Sequence, residues 1–290
     1  MQELEPMAHI ILADKKLVSF EGPDAAHLLQ SVLTCNIETL QKGVAQIGAL
    51  LSPQGKILFE LLISKQSDDR FLIEIDADQA ASFKQRMTMY RMRSQVEISE
   101  PSESLVRISW DDDSTDHASA LRDVRFRSGN VFRSYLSDGG STDRTEWDRL
   151  RIEQGVPEAG RDYALGDAFA HDVSFDQNGG VDFKKGCYIG QEIVSRMHHR
   201  ATARRRFLIA SFEAIPSGVE IVADGKPLGA LGTTIGNQAL ALCRIDRVKE
   251  AIDVGHAITV GGTQIALRLP PHVSYDWPNT PSEPSELNDA

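Results

Sequence analysis

Between Phe207 and Leu269 the chain breaks into short β-rich stretches: RFLIASF, VEIVADG, KPLGALGTTIG, QALALCRI and HAITVGGTQIALRL. Glycine and aspartate turns separate them. Many short strands at close spacing, punctuated by turn residues, build a small antiparallel barrel or sandwich rather than a parallel sheet. This pattern predicts a barrel over 204–270. The stretch after it, PPHVSYDWPNTPSEPSELNDA, is rich in Pro, Ser and acids, and 271–290 reads as a flexible tail.

The first hundred residues follow a different rhythm. HIILADKKLVSF (His9 to Phe20) reads as one or two strands, and Glu21-Gly22-Pro23-Asp24 as a turn with Asp24 opening a helix. Ala25, Leu28, Leu29, Val32 and Leu33 then recur at helical spacing. Val44 to Leu51 and Lys56 to Ser64 read as strands joined by the hairpin turn Ser52-Pro53-Gln54-Gly55. A strand over 70–75, a helix from Asp78 to about Met89 and a strand over 95–99 complete an α+β layer. A second unit is expected after Pro101, with a strand over 105–110, an acidic loop WDDDSTDHASA, and a helix EWDRLRIEQ over 146–154 capped by Gly155. Three aspartates in a row read as a solvated turn rather than a metal site, because no second ligand cluster is spaced to complete the coordination. The 290 residues thus divide into 7–203, with a boundary near 100, and 204–270. Met7 offers a second start, which would make residues 1–6 an extension.

No apolar run approaches the ~20 residues of a membrane span, and the acidic N-terminus lacks the layout of a secretory signal. Cys35, Cys187 and Cys243 are odd in number and widely spaced, which argues against a disulfide framework and a Cys-x-x-Cys metal site. A reducing cytoplasm is the expected home. The net charge is −11, but Lys184 to Arg206 holds seven basic residues and one acid, leaving −17 to the rest. A general nucleic-acid or membrane-surface binder is not expected at that charge. The basic strip reads either as a solvated face or as a surface for an anionic partner.

The strip opens on KKGCYIGQE, Lys184 to Glu192. Gly186 and Gly190 let the backbone turn tightly around Cys187, and Gln191-Glu192 can start a helix. A thiol near a helix N-terminus, with Lys184 and Lys185 close in sequence, would have its thiolate stabilised. A small buried hydrophobe fits the same residues equally well. Cys35 and Cys243 sit in apolar patterns and read as buried. His171, His198 and His199 could each partner a nucleophilic cysteine, and spacing singles out none. Gly55-Lys56 lacks the rest of a phosphate loop.

KGCYIGQE resembles the signature of the YgfZ family, relatives of the folate-binding T-protein (aminomethyltransferase) of glycine cleavage. FEGPDAAHLLQSVLTCNIETL, LLSPQGKILFELLI and LRIEQGVPEAGRD are similar to the opening helix, the glycine-centred hairpin and the folate-site helix of both groups. The likeness covers roughly residues 7–270. It implies an α+β, three-subdomain GcvT-like fold around a central channel for tetrahydrofolate or a derivative, closed by the C-terminal β-barrel. By the same resemblance Glu153 would bind the pterin, and one of Arg204, Arg205 and Arg206 the folate tail, with Arg205 and Arg206 taken as the candidates. Arg196 and Arg200 would extend that surface. Cys187 would be the reactive group, Lys185 would tune it, and Glu192 would order the turn formed with Gly186, Tyr188, Gly190 and Gln191.

The Asp-Asp pair of the aminomethyltransferases is replaced here by Phe59-Glu60, and Glu60 could point to the far side of its strand. Asn36 departs from a Thr-x-Asp pattern. The resemblance therefore implies an accessory factor that binds folate and serves the assembly or repair of iron–sulfur proteins, affecting tRNA modification only indirectly. Its partners would be iron–sulfur client or assembly proteins, with no membrane and no direct nucleic-acid contact. The alternative is a folate-dependent one-carbon transferase.

Overall fold

The structure, a computed structural model, describes residues 8–110, 120–128, 130–136, 139–199 and 204–278. Strands β1 (Ala8–Leu12) and β2 (Lys15–Glu21) lead into helix α1 (Ala25–Val32). Then come β3 (Val44–Leu51), β4 (Ile57–Lys65) and β5 (Arg70–Asp76), helix α2 (Ala77–Arg91) and β6 (Glu97–Ile98). Next are β7 (Leu105–Trp110), β8 (Leu121–Asp123), β9 (Val131–Leu136) and helix α3 (Thr145–Gln154). A long stretch of turns leads from α3 to helix α4 (Gln191–His199).

These strands join in one nine-stranded sheet of order β1-β7-β9-β8-β3-β4-β5-β2-β6. The expected boundary near residue 100 falls inside it. The N-terminal β1 pairs antiparallel with β7 from beyond the boundary, and β8 pairs parallel with β3. The β3–β4 hairpin is the hinge of the arrangement, because its two faces serve two cores. Leu50, Phe59, Leu61 and Ile63 pack under α1 and α2, while Ile47, Leu51, Ile57 and Leu62 pack against the turns after α3 and against Phe207. The alternation of side chains makes this division from Phe59 to Ile63, and Ile57 departs from it beside the register shift at Leu50/Leu51.

The C-terminal strands are β10 (Arg205–Ser211), β11 (Glu220–Ala223), β12 (Lys226–Ile235), β13 (Gln238–Arg244), β14 (Ile258–Val260), β15 (Thr263–Gln264) and β16 (Ala266–Arg268). Their order is β15-β14-β11-β12-β13-β10-β16. The chain steps from β15 to β16 across Ile265 and so nearly closes the predicted antiparallel barrel. Helix α5 (Ile245–Val254), not foreseen in the sequence, buries Ile245, Val248 and Ala251 in the barrel core and ends on Gly255 in the left-handed conformation, φ 78°.

The expected tail divides. Residues 279–290 lie outside the described residues, as do Asp111 to Asp113 and Arg200. Residues 271–278 are packed. Tyr275 lies under the Arg206 guanidinium, Ser274 donates to Gln177 and Trp277 rests on the barrel core. Apolar and hydrogen-bonded contacts outweigh the composition bias of this stretch.

Candidate functional site

The turn that carries Cys187 is fixed at both ends. On one side it is tied to the chain leaving α1. Thr34 Oγ1 donates to Gly180 O at 2.5 Å, and Asp182 N donates to Thr34 O at 3.1 Å. The Asp182 carboxylate then organises the approach. One oxygen accepts from the backbone N–H groups of Lys184 (2.6 Å) and Lys185 (3.0 Å), and the other accepts from Asn36 Nδ2 (2.8 Å). Burial opposes the charge, but these donors and the Lys185 ammonium hold the Asp182 carboxyl below its usual value.

Lys185 closes this anchor. Its side chain is buried, and Nζ donates to Leu33 O and Cys35 O at 2.7 Å each. It also sits 5.2 Å from the centre of the Tyr188 ring. Burial pulls its ammonium down to about 8, against the opposite pull of Cys35, Asp182 and Glu38. Lys185 was expected to tune the Cys187 thiol. Instead its ammonium is committed to two backbone carbonyls about 150 residues upstream. It holds the turn in place.

On the other side the turn seats on the β3–β4 hairpin. Tyr188 is buried in the second core, and burial raises its phenol. Gly190 has φ 79°, and a Cβ there would lie 2.6 Å from Ser52 O and 3.2 Å from Gly55 Cα. Gly55, φ 77°, is pressed in turn by Ile193 of α4. The two glycines let the motif and the hairpin turn touch backbone to backbone. Gln191 N donates to Tyr188 O at 3.2 Å where α4 begins. Glu192 does not order the turn: it is exposed and pairs with Arg196 one helical turn on, at 2.5 Å.

Cys187 stands exposed at the apex of this anchored turn. Cys35 and Cys243 are buried, and burial pushes their thiols up to about 11 and about 12. The thiol with access to a partner is therefore Cys187, and the reading of it as a buried small hydrophobe is set aside. No set of three or more His, Cys, Asp or Glu side chains among the described residues is arranged to hold a metal ion.

The basic strip is not one surface. Arg196 pairs with Glu192, Arg205 with Asp167 at 3.0 Å, and buried Arg206 with Asp176 at 2.7 Å and His171 O at 2.6 Å. With Lys185 buried, four of the seven basic residues are engaged internally. Lys184 and Arg204 are exposed. Arg205 and Arg206 thus serve to fix β10 to the turns around His171, the place where the folate tail was expected.

Glu153 also lies elsewhere than expected. The buried side of α3 is Trp147, Asp148, Arg151 and Ile152, and Glu153 turns outward into solvent. Arg151 is the residue that faces inward, bonded to Asp148, Asp162 and Thr233.

Where the sheet, α3 and the turns beyond it meet, Lys15, Glu60, Glu74, Asp76, Arg125, Arg133 and Glu158 line a cavity of about 20 Å³. Glu60 faces this cavity, and Phe59 turns to the opposite core against Phe83. Glu60 accepts from Tyr163 O–H, and burial raises its carboxyl despite that bond. The other charges are paired: Arg133 bridges Glu74 (2.5 Å) and Asp123 (2.8 Å), Lys15 holds Asp76, and Arg144 holds Glu158 at 2.5 Å. Arg125 and Arg133 hold buried Asp123 down at about 2, against its desolvation. A cavity of this size admits a water. Pockets for drug-sized ligands run to roughly 300–1,000 Å³. The residues named for folate do not line this cavity, and its walls in this arrangement do not fit a pterin.

Sequence reasoning gave no role to Thr34 or Asp182, and marked Asn36 only as a departure from a Thr-x-Asp pattern. Asp182 left one signal: an aspartate two and three residues ahead of the amides it caps is the spacing of a local side-chain turn. The contact of this segment with Thr34 and Asn36 spans 146 residues and left none.

The fold and site define a GcvT-like layer joined to a C-terminal barrel, and comparison with known proteins agrees. Residues 14–109 match the GCVT N-terminal domain, and residues 204–275 match the CAF17 C-terminal beta-barrel domain. The chain superposes on the glycine cleavage system aminomethyltransferase T from Bartonella henselae with a TM-score of 0.68, 15% identity, 90% of this chain and 84% of the other. The chain falls in this broad GcvT-like grouping with a CAF17-type barrel. Its curated relatives are named iron–sulfur cluster assembly factor IBA57, mitochondrial, or its homologues. The Neurospora crassa protein is 31% identical over 247 residues, 74% of this chain and 56% of its own length. The Pyricularia oryzae protein is 29% identical, covering 81% and 71%, and the human protein 27%, covering 88% and 82%. The chain thus spans little more than half of the Neurospora relative.

Two expectations are corrected by these relatives. They are IBA57 proteins rather than YgfZ itself, so the resemblance holds for the broad family. They are also named mitochondrial, which overturns the cytoplasmic location. Three unpaired cysteines speak only for a reducing compartment, and cannot say which one.

Proposed function

We propose that this chain is an accessory factor in the assembly of iron–sulfur proteins, and that Cys187 is the group that meets the cluster or a partner's thiol. One observation carries the reading: of three cysteines one is exposed, and it sits on a turn pinned by Lys185, Asp182 and Gly190. Thiolate is the ligand that iron–sulfur clusters take. One thiol cannot hold a cluster alone, so the remaining ligands come from the partner. The names of the relatives support the same reading. Any influence on tRNA modification is indirect, through iron–sulfur enzymes that fail to receive their cluster.

Tetrahydrofolate, which the resemblance to YgfZ and the T-protein implies, takes no step here, because Glu153, Arg205 and Arg206 are turned or tied away from the cavity. Calorimetric titration with tetrahydrofolate is expected to give no heat of binding. Saturable binding lost in Glu153→Ala would restore the folate reading.

The one-carbon transferase remains as a second reading on one observation, that Glu60 does face the cavity. Its bond to Tyr163 and the small volume count against it. Transfer of a one-carbon unit to tetrahydrofolate, lost in Glu60→Gln, would establish it.

The function itself is tested by depleting the chain in its own cells. The activity of cluster-dependent enzymes should fall while the amounts of their polypeptides hold. Unchanged activities would refute the assembly role.

A further inference from the structure

A hollow of about 400 Å³ lies beside the cysteine turn. Leu40, Val44, Val181 and Phe183 give it an apolar lining, and Asn36 and Lys184 stand among its polar groups. Phe183 is 36% exposed, a large apolar side chain on an open surface. The charges of the hollow are unequal in availability. Both Asp182 oxygens already accept hydrogen bonds. Lys184 makes no ion pair among the described residues and is exposed. The charged group left free to make a new ion pair is therefore Lys184.

Gly186 separates Lys184 and Lys185 from Cys187, and its reason differs from that of Gly190. It lies outside the left-handed region, and a Cβ there would meet nothing within 4 Å. Neither a positive φ nor a close contact requires a glycine at this point. A bare backbone beside an exposed thiol does have a use, since it lets another chain lie close along it.

We propose that the hollow at Lys184, the bare backbone at Gly186 and the thiol of Cys187 form one docking track for an extended acidic segment of a protein partner that brings its own thiol group to Cys187. An apolar side chain of that segment fills the hollow and a carboxylate meets Lys184, as in other recognition of acidic motifs by basic side chains. The proposal rests on the reading of Cys187 as the acting group and adds the chemistry of what it meets.

The test uses disulfide exchange on the full chain, where buried Cys35 and Cys243 stay silent. The probes are the thiopyridyl mixed disulfides of two peptides, acetyl-Glu-Leu-Cys-amide and acetyl-Lys-Leu-Cys-amide, with dithiodipyridine as a small neutral control. The Cys187 thiol gives its proton to the buffer and its thiolate attacks the peptide sulfur. The new S–S bond forms as the bond to thiopyridine breaks, and the electron pair leaves on thiopyridone, whose absorbance reports the rate. A charge swap at roughly 8 Å from an exposed ammonium should favour the acidic peptide about fivefold. Lys184→Glu should reverse that order and Gly186→Val should slow both peptides, each peptide rate being taken as a ratio to the same variant's rate with dithiodipyridine, which cancels any change in the thiol itself. Gly186→Ala gives a milder form of the same effect. Equal rates for the two peptides, or Gly186→Val reacting like the wild type, would overturn the track. Cys187 could still prove essential in cells in that event, which separates failure of this proposal from failure of the assembly role.

Discussion

Gly190 carries the heaviest structural demand in the motif, and Gly190→Ala measures it. At φ 79° any other residue sits in the left-handed region, at a cost of about 1–2 kcal/mol. The added Cβ would also meet Ser52 O at 2.6 Å, Leu51 Cβ at 3.0 Å and Gly55 Cα at 3.2 Å. All three are backbone or backbone-bound atoms, so relief requires moving the hairpin turn. Overpacking of this kind costs about 1–3 kcal/mol. The substitution should therefore destabilise the chain by about 2–5 kcal/mol, the sum of the two terms. Gly186→Ala is the control, with open space around it, and should change stability by less than about 1 kcal/mol. Urea unfolding with the slope checked for constancy gives the difference. Amide exchange over 52–55 and 186–194 should rise in Gly190→Ala alone. A Gly190→Ala protein as stable as the wild type, or a Gly186→Ala protein equally weakened, would refute the account of how the turn is seated.

Two further substitutions test the other anchor. The Lys185 ammonium is depressed to about 8 in the fold, against about 10.4 unfolded. Between those values the unfolded chain binds more protons, so stability rises with pH. The wild type should gain on Lys185→Met across roughly pH 8 to 10.4, and a flat or falling difference would contradict the buried ammonium. Asp182→Ala removes the acceptor for Asn36 and for two backbone amides, and should cost about 1–3 kcal/mol at neutral pH. Because the Asp182 carboxyl lies below its ordinary value, that benefit is present above about pH 4 and is lost as the pH falls through the folded value. An Ala variant as stable as the wild type at neutral pH would remove Asp182 from the anchor.

Local signals were legible because their causes are local. Gly155 at φ 65° ends α3 where a left-handed cap was expected, and Ser52 to Gly55 turns the hairpin as read. The short strands after Phe207 close nearly into a barrel because few other arrangements satisfy so many edges. Helix α5 was missed although Ile245, Val248 and Ala251 repeat at helical spacing, since its ten residues lie between strands of similar composition. Cys187 could be singled out from its glycines, but its exposure could not. The failure over Lys185 is more instructive. Nearness in sequence suggested that its charge served the neighbouring thiol, and the fold instead supplies two carbonyls from the end of α1. Glu153 shows the same limit on a helix: one residue past buried Ile152 is about 100° around the axis, enough to face water.

The central claim is that the exposed thiol of Cys187, and no other, performs the function. The direct measurement is the activity of a cluster-dependent enzyme in cells whose only copy of this chain is Cys187→Ser, beside cells carrying Cys35→Ser or Cys243→Ser at equal protein level. The account predicts that activity is lost with Cys187→Ser and kept with the other two. Wild-type activity with Cys187→Ser would contradict it.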